Sequence, residues 1–309
     1  MKIGNVNLDN NLFLAPMAGY SDVGFRKVCK QFGCGLAYTE MVSAKALFNG
    51  SKKTRDLLFT SDIETPKAVQ IFGHEPKVMG EVCAFSELSK FDIIDVNMGC
   101  PAPKVISNGD GACLLKDIDL AQKILEECVK ATDKPITVKY RMGWAKDQSV
   151  EFAQMFEEVG VKAITLHART KEQMYSGIPF YQAISAVKRK VKIPVIANGD
   201  IKDKKSMLEI KKLTNADGFM IGRGALGNPW IFSLLQDKKF EQNKLQTIYE
   251  HISTLLQFYS EHYVVLCMRK HLDKYLKNES ISNEQKQELI LKTNLKDVKN
   301  LLEKYLHRF

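Results

Sequence analysis

No run of the chain is long and apolar enough to cross a bilayer; none approaches the roughly 18 residues that a span requires. Residues 1–10 lack the apolar stretch of a secretory leader. These absences lead us to expect a soluble cytoplasmic protein with no membrane partner. Paired cysteines are missing as well. Seven cysteines (Cys29, Cys34, Cys83, Cys100, Cys113, Cys128 and Cys267), an odd number, stand singly, and no Cys/His group has zinc spacing. A disulfide framework and a zinc module are thereby excluded, and no metal is expected. Low-complexity and Gly/Ser/Pro-rich segments are absent, which argues against a disordered chain. Acidic residues are outnumbered, 36 Asp and Glu against 45 Lys and Arg, for a net charge of +9. Such an excess draws polyanions through phosphate contacts and counterion release, although charge alone does not establish a nucleic-acid partner.

What is present is a chain of 309 residues, 45% of them apolar, enough for one large domain and a small one. Short apolar or β-branched runs at 12–15, 36–40, 67–72, 93–97, 136–141, 163–167, 193–197 and 218–221 alternate with helix-period segments. Asp117 opens one such helix, with Leu120, Ile124, Leu125 and Cys128 on a face. Asp203 opens another, with Met207, Ile210 and Leu213. Eight βα units make an α/β fold, either a (β/α)8 TIM barrel or a doubly wound sheet. The positions of the polar residues favour the barrel. Glu40, Gln70, Asn97, Lys139, His167 and Asn198 end apolar runs, and Arg223 follows the last one. A barrel gathers all its C-terminal strand ends at one mouth, where these groups become neighbours. Past residue 235 the strand pattern stops. A charged linker at 236–243 precedes helical stripes (Leu245, Ile248, Ile252, Leu255, Tyr259, then Leu295, Val298, Leu302, Tyr305). Segments around 268–276 and 285–291 complete an expected bundle of about four helices. The expected division is a catalytic barrel at 1–235 and a small all-α domain at 244–309.

Asn97, Met98, Gly99, Cys100 and Pro101 follow a strand directly. A thiol with an ordinary pKa of about 8.5 is mostly protonated at neutral pH and can yield its proton to a developing carbanion. Gly99 allows close backbone approach, and Pro101 stiffens the loop. The other six cysteines read as small buried hydrophobes. Lys139 is a cation in an apolar strand and needs an anionic partner. The electron-rich edge of a reduced flavin is such a partner; a Schiff-base aldolase is the competing functional reading, and a salt bridge to Glu40 the purely structural one. Asn198-Gly199-Asp200 and Gly222-Arg223-Gly224 fall where such barrels bind phosphate. Gly222, Gly224 and Gly227 also fit a dinucleotide glycine pattern, but no strand follows to complete a βαβ unit, and that reading is rejected.

Several stretches together resemble the tRNA-dihydrouridine synthases. They are Ala15-Pro16-Met17-Ala18-Gly19-Tyr20-Ser21-Asp22, the 97–101 loop with Gly109, Gly111, Leu114 and Leu115, and Lys139 with Arg141. His167-Ala168-Arg169-Thr170 with Gln173, Tyr175 and Gly177, the two phosphate-corner motifs, and Met268-Arg269-Lys270-His271 with Tyr275 and Lys277 belong to the same set. The resemblance spans essentially the whole chain, in the family's order. It implies reduction of the C5–C6 bond of uridine in tRNA, with FMN bound and NADPH as the transient reductant. It further implies that Pro16, Met17, Ala18, Gln70, Lys139, His167, Asn198, Gly199, Asp200, Gly222 and Arg223 surround FMN and that Cys100 donates the proton. Asn97, Arg141 and Arg169 are then expected to hold the base and nearby phosphates, and Arg269, Lys270 and His271 the RNA backbone. No obligate protein partner is inferred. Two rival readings are a dihydroorotate-type enzyme acting on a free pyrimidine, which the basic charge and helical tail disfavour, and a non-catalytic RNA-binding barrel.

Overall fold

A computed structural model of the chain describes residues 1–277 and 279–306; residues 278 and 307–309, within the expected helical unit, lie outside the described residues. The chain opens with a hairpin, β1 (Lys2–Ile3) against β2 (Val6–Asn7). Eight parallel strands follow: β3 (Leu12–Leu14), β4 (Leu36–Ser43), β5 (Lys67–Phe72), β6 (Ile93–Met98), β7 (Ile136–Arg141), β8 (Ala163–His167), β9 (Val195–Asn198) and β10 (Gly218–Ile221). They close into one barrel because β10 pairs with β3, Phe219 opposite Leu12 and Ile221 opposite Leu14. That closure excludes the doubly wound sheet. Strand limits differ from the sequence expectation where chemistry intervenes. β9 begins at Val195 rather than 193, after Pro194, which has no N–H to give to a ladder. β4 runs on to Ser43 through a register shift between Tyr38 and Met41.

Side-chain alternation divides each strand between two cores. Leu14, Val69, Ile71, Ile94, Val96, Val138, Tyr140, Ile164 and Leu166 face the helical layer and pack against it. Phe13, Tyr38, Ala68, Ile93, Ala163, Ile196 and Met220 point inward, where Ile3 and Leu8 from the hairpin region join them. The inward parity then changes chemistry along each strand. Ala68 is followed two residues on by Gln70, Ile93 by Asp95 and Asn97, Ala163 by Thr165 and His167, and Ile196 by Asn198. The barrel is therefore greasy at the hairpin end and polar at its C-terminal mouth. Each fully buried Ile or Phe in the apolar layer contributes about 1.5–3 kcal/mol.

The helices start where local chemistry allows. Asp117 caps Ile118–Ala131 by accepting from Leu120 N–H, and Asp203 caps Lys204–Thr214 by accepting from Ser206 N–H. On the second of these, Met207 and Ile210 are buried but Leu213 turns to solvent.

After residue 243 the described residues form four helices: Lys244–Leu256, Glu261–Tyr275, Asn283–Leu291 and Leu295–Leu306. Ile248, Ile252, Leu255, Val264, Met268, Leu272 and Leu302 build a core of their own, which Val23 of the barrel enters. This bundle docks on the helix Val23–Gln31. Gly24 permits the contact, since a Cβ there would lie 2.8 Å from the His251 carbonyl oxygen. At the same seam Asp22 caps the helix through Phe25 N–H (2.9 Å) and accepts from His251 Nε2 (3.0 Å) and His271 Nε2 (2.8 Å).

Candidate active site

The polar strand ends enclose a cleft of about 970 Å³ at the barrel mouth, a size typical of cofactor and ligand sites. One wall is apolar, built from Ala15, Pro16, Met17, Ala18, Met220 and Leu226. Facing groups come from separate strands that register places side by side. Asn97 lies opposite Lys139, Arg141 opposite His167, and His167 opposite Asn198. Cys100 and Lys139 share this one cleft, as do Gly199, Asp200, Gly222 and Arg223.

Cys100 is half-buried. Its N–H donates to Asn97 Oδ1 (2.9 Å), as does that of Gly99 (3.2 Å), and its carbonyl accepts from Ala112 N–H (3.0 Å). Gly111 makes room for this loop. Its φ is +60°, and a Cβ there would sit 2.9 Å from the Cys100 carbonyl oxygen. Burial pushes the Cys100 thiol up, while a backbone bond at Ala102 and the cations Lys139 and Arg141 pull the other way. The net direction is upward, so the thiol carries its proton at neutral pH.

Lys139 is pushed down to about 8, first by burial and then by Arg141, with Asp95 and Cys100 opposing. It remains mostly an ammonium at pH 7. Among the described residues no carboxylate forms an ion pair with it. Glu40, the sequence-level alternative partner, instead accepts from Gly19 N–H. His167 is held well below its usual value, by burial first and by Lys139, Arg141, Arg169 and Arg223 after it. It is a neutral imidazole. Asn198 Nδ2 donates to Met220 O (2.8 Å), which fixes the amide at the floor of the phosphate corner. Asp200, at φ +50°, accepts from Arg169 and from Arg223 Nη2 (2.8 Å). Arg169 first, and Arg223 with it, hold its carboxyl below the usual carboxylate range against the effect of burial.

Five expected site residues lie elsewhere than the cleft wall. Gln70 sits beneath it, fully buried, with both ends of its amide used. Arg169, 1% exposed, spends its N–H groups on Asp200 and on the carbonyls of Ser176 and Gly177. That anchors a loop with four of its five N–H groups. The Arg269-Lys270-His271 cluster does not form one face, because successive helical residues point about 100° apart. His271 enters the core to meet Asp22, and Arg269 Nη2 donates to Lys292 O (3.2 Å). Lys270 alone reaches the barrel rim, its ammonium 5.7 Å from the Tyr20 ring centroid. Arg141 does line the cleft, yet it also acts as a staple. It donates to Gly99 O (2.9 Å), Thr170 O (3.0 Å) and Met174 O (2.7 Å), joining the Cys100 loop to the loop that carries Tyr175. Tyr175 stands between Arg141 and Arg223, with their guanidinium carbons 5.4 and 4.9 Å from its ring centroid.

Sequence reasoning missed Asp95, Tyr20 and Met41. Tyr20 and Met41 line the cleft, and Asp95 supports it from below. Inward parity from Asn97 was the signal that could have found Asp95.

A sequence model described as dihydrouridine synthase (Dus) matches residues 13–309. The chain is 40% identical to the probable tRNA-dihydrouridine synthase of Rickettsia conorii, over 89% of this chain and 87% of that protein. It is 39% identical to tRNA-dihydrouridine synthase B of Vibrio parahaemolyticus, over 92% of each. Among solved structures, histamine dehydrogenase from Rhizobium sp. 4-9 superposes with a TM-score of 0.58 at 10% identity, over 82% of this chain. The 6-hydroxypseudooxynicotine amine oxidase of Pseudomonas geniculata N1 gives 0.59 at 13% identity, over 77%. The chain spans about half the length of those two structures (50% and 49%), and the likeness concerns the fold.

Proposed function

The chain belongs to the dihydrouridine synthase family, and from that premise we propose that it reduces uridine in tRNA with FMN as cofactor, NADPH as reductant and Cys100 as the acid. The observation that carries this reading is the meeting of a protonated thiol and an unpaired ammonium in one cleft beside a phosphate corner. The family works with a flavin, and the residues present fit its mononucleotide form. The apolar wall suits a planar ring, Lys139 is a cation without a carboxylate partner, and Arg223 with the loops after β9 and β10 supplies phosphate donors. Pro16, Met17, Ala18, Lys139, His167, Asn198, Gly199, Asp200, Gly222 and Arg223 would hold it, with Gln70 bracing them from below. When bound and reduced, the flavin supplies the hydride that adds to C6 of the base.

The rest of the work falls to the chain. Cys100 releases its proton to C5, and the resulting thiolate lies near two cations, Lys139 and Arg141. Asn97 holds the loop that aims the sulfur. Arg141 ties that loop to the Tyr175 segment and so keeps the mouth in one shape. A uridine must be swung out of the RNA to enter, which costs least at loop positions. Lys270, on the rim beside Tyr20, is the tail residue placed to meet a phosphate, and the helical unit 244–309 would orient the RNA. The test is to incubate purified yellow protein with unmodified tRNA and NADPH and to quantify dihydrouridine by nucleoside mass spectrometry. Flavin-loaded protein that forms none on any tRNA, yet turns over dihydroorotate, would refute the proposal.

A further inference from the structure

Inside the barrel, under the cleft, four polar side chains form one line of hydrogen bonds that the steps above do not use. Thr137 Oγ1 donates to Asp95 Oδ1 (2.6 Å), and Gln70 Nε2 donates to Asp95 Oδ2 (2.7 Å). Gln70 Oε1 accepts from Asn97 Nδ2 (2.8 Å). Asn97 Oδ1 then accepts from the N–H groups of Gly99 and Cys100. Asp95 and Gln70 are wholly buried, so no water can replace a missing partner cheaply.

The direction of every bond in this line follows from its first member. A carboxylate has no proton to give, so Gln70 must turn its NH2 group toward Asp95. Its oxygen is then left for Asn97, which must in turn offer its own NH2 group. Only then does the Asn97 oxygen face the two loop amides. With the amides reversed, NH2 would confront N–H at Cys100, and the loop would lose both anchors. We propose that Asp95 is a positioning residue for the proton-donating step: its buried carboxylate sets the direction of the Gln70 and Asn97 amides and thereby holds Cys100 in place at the cleft. The proposal rests on Cys100 being the acid, and it assigns Asp95 no contact with substrate or cofactor. Burial raises the Asp95 carboxyl to about 6 against the pull of Gln70, Thr137 and Lys139. At pH 7.5 it is therefore ionised, which is the condition for assays of the relay.

Two substitutions separate direction from charge. In Asp95→Asn the amide oxygen can still accept from Gln70, while its NH2 turns to the Thr137 hydroxyl, which can accept; the line survives without the charge. In Asp95→Leu the line has no origin. With the FMN-loaded protein at pH 7.5, Asp95→Leu should lower kcat for dihydrouridine formation by about 100-fold, the effect of displacing a reacting group by roughly 1 Å. The KM for tRNA and the rate of flavin reduction by NADPH should stay near those of the unmodified chain, and Asp95→Asn should retain most of kcat. Iodoacetamide labelling of Cys100, located by peptide mass spectrometry, should change rate in Asp95→Leu and not in Asp95→Asn. Equal losses of kcat in both variants would show that charge rather than direction matters and would overturn the proposal, as would full activity of Asp95→Leu. If Asp95→Leu does not fold, Gln70→Met interrupts the same line, and unaltered labelling of Cys100 in that variant would overturn the proposal equally. Should Cys100 prove dispensable for turnover, the labelling comparison still decides whether Asp95 holds the loop, because it reads the thiol directly.

Discussion

Two buried histidines teach opposite lessons. His167 stands at the barrel mouth and His271 at the seam between barrel and tail, and burial depresses both. Around His167 the neighbouring charges are cations: Lys139, Arg141, Arg169 and Arg223. Arg169 and Arg223 share Asp200, but Lys139 and Arg141, which have no carboxylate ion pair among the described residues, line the open cleft, ready for an anionic ligand. Around His271 the charge is closed. Asp22 accepts from both His271 and His251, and His251 Nδ1 lies 3.3 Å from the Tyr275 hydroxyl. Burial works against the charged Asp22, but the two histidines outweigh it and keep its carboxyl well below the usual range. Cations without a carboxylate mark the site, and a carboxylate closed in by hydrogen bonds marks the pin.

Substitutions can break this contrast. Replacing Cys100 by Ala should cost the largest factor, about 10² to 10⁴ in dihydrouridine formation, the usual worth of a placed general acid. Stability, bound flavin and its reduction by NADPH should persist; unimpaired turnover on tRNA would remove the thiol from its role. At the pin the effect is on folding instead. Asp22→Ala leaves two buried imidazoles and the Phe25 N–H without their acceptor and should destabilise the chain by about 2–5 kcal/mol in denaturant unfolding. A loss below about 1 kcal/mol, in the range of an exposed ion pair, would mean that the seam is not closed as described.

Acid should weaken the same seam. The His271 imidazole is pushed down to about 4, by burial first, despite the pull of Asp22. In the unfolded chain it binds a proton near its ordinary pKa of about 6.5. Between those values the unfolded state holds more protons, so stability falls as pH drops from about 6.5 toward 4, by up to about 3 kcal/mol from this group alone. The depressed Asp22 carboxyl adds a loss in the same direction at lower pH. Unfolding midpoints across that window should be flatter in His271→Phe; an equal slope would place the acid sensitivity elsewhere.

Lys139→Ala should weaken flavin retention or slow the chemistry by roughly 10², as removal of one preorganised charge donor does. A yellow variant of full activity would contradict its pairing with the cofactor. Flavin binding to the cofactor-free protein should weaken above about pH 8, where Lys139 surrenders its proton. The smallest change is expected for Lys270→Ala. It should leave kcat intact and lower the slope of log binding constant against log salt by just under 1 for tRNA. An unchanged slope would exclude a phosphate contact there.

Much of this was readable in advance, and the failures have one cause. Periodicity and the polar run ends located all eight barrel strands and put Cys100 and Lys139 on one rim, because a barrel gathers its C-terminal strand ends regardless of their separation in the chain. Arg169 and His271 were expected to meet RNA but proved to be internal. A charged side chain reads the same in sequence whether it faces water or a carboxylate far along the chain, and those partners lie 31 and 249 residues away. Asp95 was passed over because its neighbours in the line, Gln70 and Thr137, come from adjacent strands.

What the sequence determined alone was the alternation of strand and helix, the inward parity of each strand and hence the polar character of one barrel end. Those are local properties, decided by spacing and side-chain type. Tertiary structure decided which polar groups remain free and which are consumed, because a hydrogen bond or ion pair depends on where the second residue lies and whether water can reach it.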